Sequence, residues 1–329
     1  MDKRRNLNFI NYAKFFGIVL ICLGHFLEKH SFLKVAIYSF HVPLFFFISG
    51  FLFNPNKNFF NRIGSNALRL LVPYFLWIPI SLGFYNNYRG EIFDTWEEIF
   101  FIGGTTIWND PLWFLIVLFF CFLIFSLVLK FVKEKYHILA SAIICLASFI
   151  FATIQINIEF LGLGKTLTML GFLALGFILR STYEKRLSKA KNSTLSVIGI
   201  FTFIIFFLIA GFFNNGNNIS ILLEDYNNIF LFIPLAILGS VSFVLMFMNA
   251  KESKIISFFA KNTIPFMAGH YFFRLYWFDF YERTLLYNLL GGILSILIIG
   301  AILLILNGAL YKAPKAFKKP LTLLGIFLA

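Results

Sequence analysis

Residues 9–28 read Phe9-Ile10-Asn11-Tyr12-Ala13-Lys14-Phe15-Phe16-Gly17-Ile18-Val19-Leu20-Ile21-Cys22-Leu23-Gly24-His25-Phe26-Leu27-Glu28. The run is long and apolar enough to cross the hydrocarbon core of a bilayer. Before Glu28 at its end, the run holds three groups ill suited to lipid: Asn11, Lys14 and His25. From Lys14 to His25 a helix turns about 1100°, within about 20° of three full turns, and rises about 16 Å. Asn11 falls within about 60° of Lys14 on the same stripe. One helix face therefore carries an amide, a cation and an imidazole across most of the membrane. Such a face is costly against lipid and should turn to the bundle interior or a wet cavity.

Nine further apolar runs follow. The ten expected crossings are 9–28, 34–53, 67–85, 112–132, 137–155, 161–180, 194–213, 229–249, 262–280 and 286–311. With 60% hydrophobic and only 13% charged residues, the 329-residue chain has too much apolar surface for a soluble fold. The sequence predicts an all-α, polytopic integral membrane protein of about ten transmembrane helices. It reads as a single domain over 1–329 with no fused soluble domain. Lys3-Arg4-Arg5 before the first run imitates a signal peptide, but no small-residue cleavage site follows, so the helix is expected to be retained. The longest connection, 86–110, contains Trp96-Glu97-Glu98-Ile99-Phe100 and is expected to hold a short interfacial helix.

The net charge of +13 would suggest nucleic acid in a soluble protein, but topology accounts for it here. With the N-terminus inside, 21 of the 28 Lys and Arg residues fall on the inner side. The outer side receives Lys29, Lys34, Arg89, Lys165, Arg274 and Arg283, and Lys14 lies within the membrane. This places both termini in the cytoplasm and the chain in the inner membrane.

His41 lies in the outer half of the second run, at a depth comparable to His25. Pro43 frees a backbone carbonyl nearby, and Ser49-Gly50 permits close helix packing. His270 falls near the middle of the ninth run, with Arg274 one turn further out. Trp113, after Pro111-Leu112, is placed as an interfacial anchor and Arg69 at the inner mouth of the third run. His30 and His137 read as surface residues. Cys22, Cys121 and Cys145 lie in apolar runs without metal-ligand spacing and read as packing residues. The sequence has no phosphate-binding Gly-rich loop of the form GxxxxGK[ST], no HExxH, no CxxC and no GxSxG, and no metal is expected.

The first-helix pattern Asn11-Tyr12-Ala13-Lys14, Gly17-Ile18-Val19-Leu20, Gly24-His25 resembles the acyltransferase-3 family of integral membrane acyltransferases, whose hallmark is a basic residue, ten residues, then His. Phe40-His41-Val42-Pro43-Leu44-Phe45-Phe46-Phe47-Ile48-Ser49-Gly50-Phe51, Pro111-Leu112-Trp113-Phe114-Leu115, Lys261-Asn262-Thr263 and His270 are similar as well. Many members have Arg at Lys14 and Asp at Asn11, and a basic residue where Asn66 stands. The Lys variant is similar to a sugar O-acetylase-like subgroup.

The resemblance implies transfer of an acyl group, usually acetyl, from acyl-CoA to a glycan or lipid-linked glycan. On that reading His25, with His41 as the alternative, is the catalytic base. Lys14, Asn11 and Arg69 bind the donor, acetyl-CoA or another acyl-CoA. Ser49, Trp113, His270 and Arg274 are assigned to the substrate. Expected partners are the glycan acceptor, acyl-CoA, membrane lipids and a second copy of the chain as a homo-oligomer; nucleic acid is not among them. The competing classes are a transporter or flippase of glycans, which ten helices around a polar stripe also suit, and a sensor or assembly partner without catalysis.

Overall fold

The computed structural model describes residues 7–89, 109–154, 158, 160–185, 190–214, 217, 219–277, 284–310 and 315–326. The expected interfacial helix at Trp96–Phe100 lies outside them. Among the described residues, nine helical stretches are long and apolar enough to cross a membrane, and an isolated antiparallel bridge pairs Ser220 with Asp225.

The first crossing is α1 (Asn8–Phe26). The second, expected as one helix, is broken into α2 (Phe32–Tyr38) and α3 (His41–Phe51). Pro43 explains the break. It has no N–H for the Ser39 carbonyl, and its ring would crowd that carbonyl in a continuous helix. Phe40 leaves the helical region, with φ −144°, and Pro43 falls in the first turn of α3, where a missing N–H costs nothing. His41 thereby becomes the first residue of α3, with its Nδ1 2.9 Å from the Ile37 carbonyl.

The third crossing begins earlier than expected, at α4 (Phe59–Asn66), where the Asn58 side chain accepts the Asn61 N–H. A π turn over Ala67–Leu71 joins it to α5 (Val72–Arg89). Pro73 stands four residues after Arg69, so an α-helix would press its ring on the Arg69 carbonyl; the wider π turn relieves that contact.

A 3-10 turn at Asp110–Leu112 leads into α6 (Trp113–Phe131). There follow α7 (His137–Ile154), α8 (Leu163–Lys185), α9 (Asn192–Phe213) and α10 (Ile229–Met246), the last capped by Asn228. Then α11 (Lys254–Lys261) is separated from α12 (Thr263–Trp277) by a break at Asn262. The chain continues through α13 (Leu285–Leu310) to a short α14 (Lys315–Leu323). The expected ninth crossing, 262–280, corresponds to α12, whose described part is 15 residues long.

The tightest packing is α3 against α8. A Cβ on Gly50 would overlap the Leu173 carbonyl, and one on Gly176 would overlap the Phe47 carbonyl. The two helices cross with backbones in contact, as small residues allow inside membranes. One apolar cluster, including Phe46, Trp113, Phe172 and Phe266, surrounds the site. A second, including Phe40, Phe47, Phe206 and Phe243, fills the space between α3, α9 and α10. The three cysteines are free thiols, and Cys22 and Cys121 are buried.

Candidate functional site

A cavity of about 570 Å3 opens along α1, lined in turn by Lys14, Ile18, Ile21 and His25. These positions are spaced 4, 3 and 4 residues apart, the rhythm of one helix face. The structure thus gives the polar stripe of the first helix an aqueous-sized space to face.

At one end of the cavity stand five cations, Lys14, Lys57, Arg62, Arg69 and Lys261. They come from α1, the connection after α3, α4, the π turn and α11. Among the described residues no carboxylate lines that end; Asp110, at the His25 end, is the one carboxylate among the described lining residues. Arg62 is committed to structure. Its guanidinium donates to the carbonyls of Asn54, Pro55 and Lys57 and lies 4.1 Å from the Phe53 ring centre, shaping the loop after α3. The other four leave a concentrated positive field suited to polyanionic groups such as phosphates.

At the other end lie His25, Tyr38, His41, Asp110, Tyr271 and Arg274. The His25 ring packs edge-on to Tyr38 and Tyr271, with centroids at 5.9 and 5.7 Å, and 5.0 Å from His270. Tyr38 in turn lies 4.5 Å from the His41 ring. The Tyr271 hydroxyl donates to Asp110 Oδ2 at 2.5 Å and accepts from Arg274 Nη1 at 3.1 Å. Asp110 is held in place by its neighbour. The Asn109 side chain, fully buried, donates to Ser81 Oγ and to the Ala268 carbonyl, tying the start of α6 to α5 and α12.

A largely apolar turn, Ile219–Leu223, forms another part of the cavity wall. Paired backbone hydrogen bonds between Ser220 and Asp225 close it. A buried ion pair ties it to α8: Lys165 Nζ lies 3.5 Å from Glu224 Oε1, and Lys165 is 1% exposed. Glu224 sits over the first turn of α8, where a Cβ on Gly164 would meet its carboxylate at 2.6 Å.

Of the residues singled out from sequence, Lys14, His25, His41, Ser49, Arg69, Trp113 and Arg274 line this one cavity. Asn11 does not; its side chain donates to Ser257 Oγ and ties α1 to α11. His270 is buried beside His25 without lining the cavity. Sequence reasoning passed over Asp110, Tyr271, Tyr38 and Lys34. Among the described residues, no three His, Cys, Asp or Glu side chains form a group that could hold a metal ion.

A family model described as an acyltransferase domain matches residues 7–311. The chain belongs to the acyltransferase-3 family. The match spans every crossing described above, so this is an acyltransferase domain built as a multi-pass membrane bundle. Among curated proteins, a nodulation protein, NolL, of Sinorhizobium fredii is 26% identical over 199 residues, covering 55% of this chain and 50% of that protein. NolL of Mesorhizobium japonicum is 33% identical over 89 residues, 23% of this chain and 24% of that protein. The chain spans about half the length of the first of these relatives and a quarter of the second. No solved structure matches.

Proposed function

We propose that this protein transfers an acyl group, acetyl in the first instance, from acyl-CoA to a hydroxyl of a cell-surface or lipid-linked glycan, with His25 as general base. The single observation that carries the reading is one cavity joining a cationic end at Lys14 and Arg69, with no carboxylate among its described residues, to an end holding His25. Membership of an acyltransferase family supports an enzyme over a flippase. In this reading the CoA phosphates rest among Lys14, Lys57, Arg69 and Lys261, and the pantetheine arm follows α1 toward His25. Ser49 and Trp113 flank that path, and the acceptor enters past Arg274 and the Ile219–Leu223 turn.

The chemistry balances without a covalent enzyme intermediate. His25 takes the proton of the acceptor hydroxyl as its oxygen attacks the thioester carbonyl. The new C–O bond forms, the C–S bond breaks, and the imidazolium returns the proton to the CoA thiolate. His41, whose Nδ1 is occupied by the Ile37 carbonyl, is the alternative base. With the termini in the cytoplasm of an inner-membrane protein, the donor end of the cavity faces the cytoplasm and the acceptor end faces outward.

Purified protein in liposomes, supplied with radiolabelled acetyl-CoA and a panel of soluble and lipid-linked oligosaccharides, tests this. Label appearing in an oligosaccharide as a base-labile ester is the expected result. Movement of an oligosaccharide across the bilayer without acetylation would favour the flippase and overturn the reading.

A further inference from the structure

His270 is fully buried, and its Nδ1 lies 2.8 Å from the carbonyl oxygen of Phe266, one turn back in α12. A carbonyl only accepts, so Nδ1 carries the proton and the neutral ring keeps its lone pair at Nε2. That Nε2 is buried without a hydrogen-bond partner among the described residues. Buried acceptors are rarely left so, because nothing replaces the lost water. The imidazole packed against it is that of His25, at a centroid separation of 5.0 Å and an interplanar angle of 53°. Two imidazoles sharing an N–H to N hydrogen bond edge to edge have ring centres roughly 5 Å apart. At that separation a ring N–H of His25 reaches the orphan once the ring is turned toward it.

We propose that His270 is a positioning residue for His25: its Nε2 accepts a hydrogen bond from one ring N–H of His25 and so fixes which nitrogen of His25 keeps the lone pair. His25 lines the cavity and His270 does not, so the nitrogen left unprotonated is the one available to the acceptor hydroxyl. A base must present its lone pair, and an imidazole free to exchange tautomers does so only part of the time. A neutral imidazole whose tautomer is locked by the Phe266 carbonyl thus does the orienting that a carboxylate does in a Ser-His-Asp triad. The proposal rests on the reading of His25 as base. It moves His270 from the substrate-binding role expected from sequence to a place behind the base.

His270→Phe keeps an aromatic ring and removes the acceptor, whereas His270→Gln keeps an acceptor oxygen. With acetyl-CoA as donor, His270→Phe should lose roughly tenfold to a hundredfold in kcat with the KM for acetyl-CoA unchanged, and His270→Gln should recover part of the loss. The double variant His270→Phe/His25→Gln should be no slower than His25→Gln alone, since the first residue acts through the second. Nitrogen-15 NMR of histidine-labelled protein supplies a readout that needs no turnover: His25 should show one tautomer in the wild type and a mixture in His270→Phe. An unchanged His25 tautomer, or additive losses in the double variant, would overturn the proposal. If the wild type transfers no acetyl group, the functional reading fails, and the NMR comparison still decides the positioning role.

Discussion

Arg274 Nε donates a hydrogen bond of 2.9 Å to the carbonyl oxygen of His25. His25 lies in the last turn of α1, where carbonyls have no partner within the helix and cations are favoured. Lys34 Nζ serves the next exposed carbonyl, that of Leu27, at 3.1 Å. Two cations from α2 and α12 thus cap the end of the helix that carries His25. Arg274 is itself tied through Tyr271 to Asp110. Replacing Arg274 with Gln should lower kcat about tenfold or more, and Arg274→Lys should fall between, because an ammonium cannot reach both partners in one plane. Steady-state kinetics decide between roles: a raised KM for the acceptor with kcat intact would make Arg274 a substrate ligand instead.

Lys14 faces the cavity three turns below His25, beside Arg69 and Lys261. Lys14→Ala should raise the KM for acetyl-CoA, and Lys14→Arg should keep much of the activity. Direct CoA binding, measured calorimetrically, checks it. Unchanged affinity in Lys14→Ala would mean the side chain only reaches toward the interface.

The Lys165–Glu224 pair holds the Ile219–Leu223 wall. Glu224→Gln removes the carboxylate 3.5 Å from a buried lysine and should cost about 3 kcal/mol. Gly164→Ala presses a methyl group against the same carboxylate and should loosen the turn as well. Thermal unfolding in detergent measures both, and an unchanged midpoint in Glu224→Gln would show that the pair carries no weight.

Gly50→Ala and Gly176→Ala should each destabilise the bundle by about 1–3 kcal/mol or more, since the added carbon meets backbone carbonyls that cannot turn aside. Gly64→Ala, with open space around its Cβ position, is the control and should be tolerated.

The all-α membrane architecture was legible because long apolar runs recur along the chain, and nine of the helical stretches among the described residues are long and apolar enough to cross. The face shared by Lys14 and His25 was legible because helical periodicity is local. The broken second crossing was not, since hydropathy runs unbroken through Ser39 and Phe40; Pro43 was the available signal. Pro73, four residues past Arg69, likewise marked the π turn. Asp110 was counted among loop charges, and Lys165 among outer basic residues, because their partners Tyr271 and Glu224 are remote in sequence. Asn11 shares the stripe by angle but lies nearer the end of α1, where Ser257 intercepts it.

The most direct test is the rate of His25→Gln. Glutamine can hydrogen-bond but cannot take a hydroxyl proton at neutral pH. The variant should fold, bind CoA as the wild type does, and transfer acetyl groups slower by about two orders of magnitude or more. Transfer near the wild-type rate by His25→Gln, with His41→Gln inactive, would move the base to α3 and contradict the account.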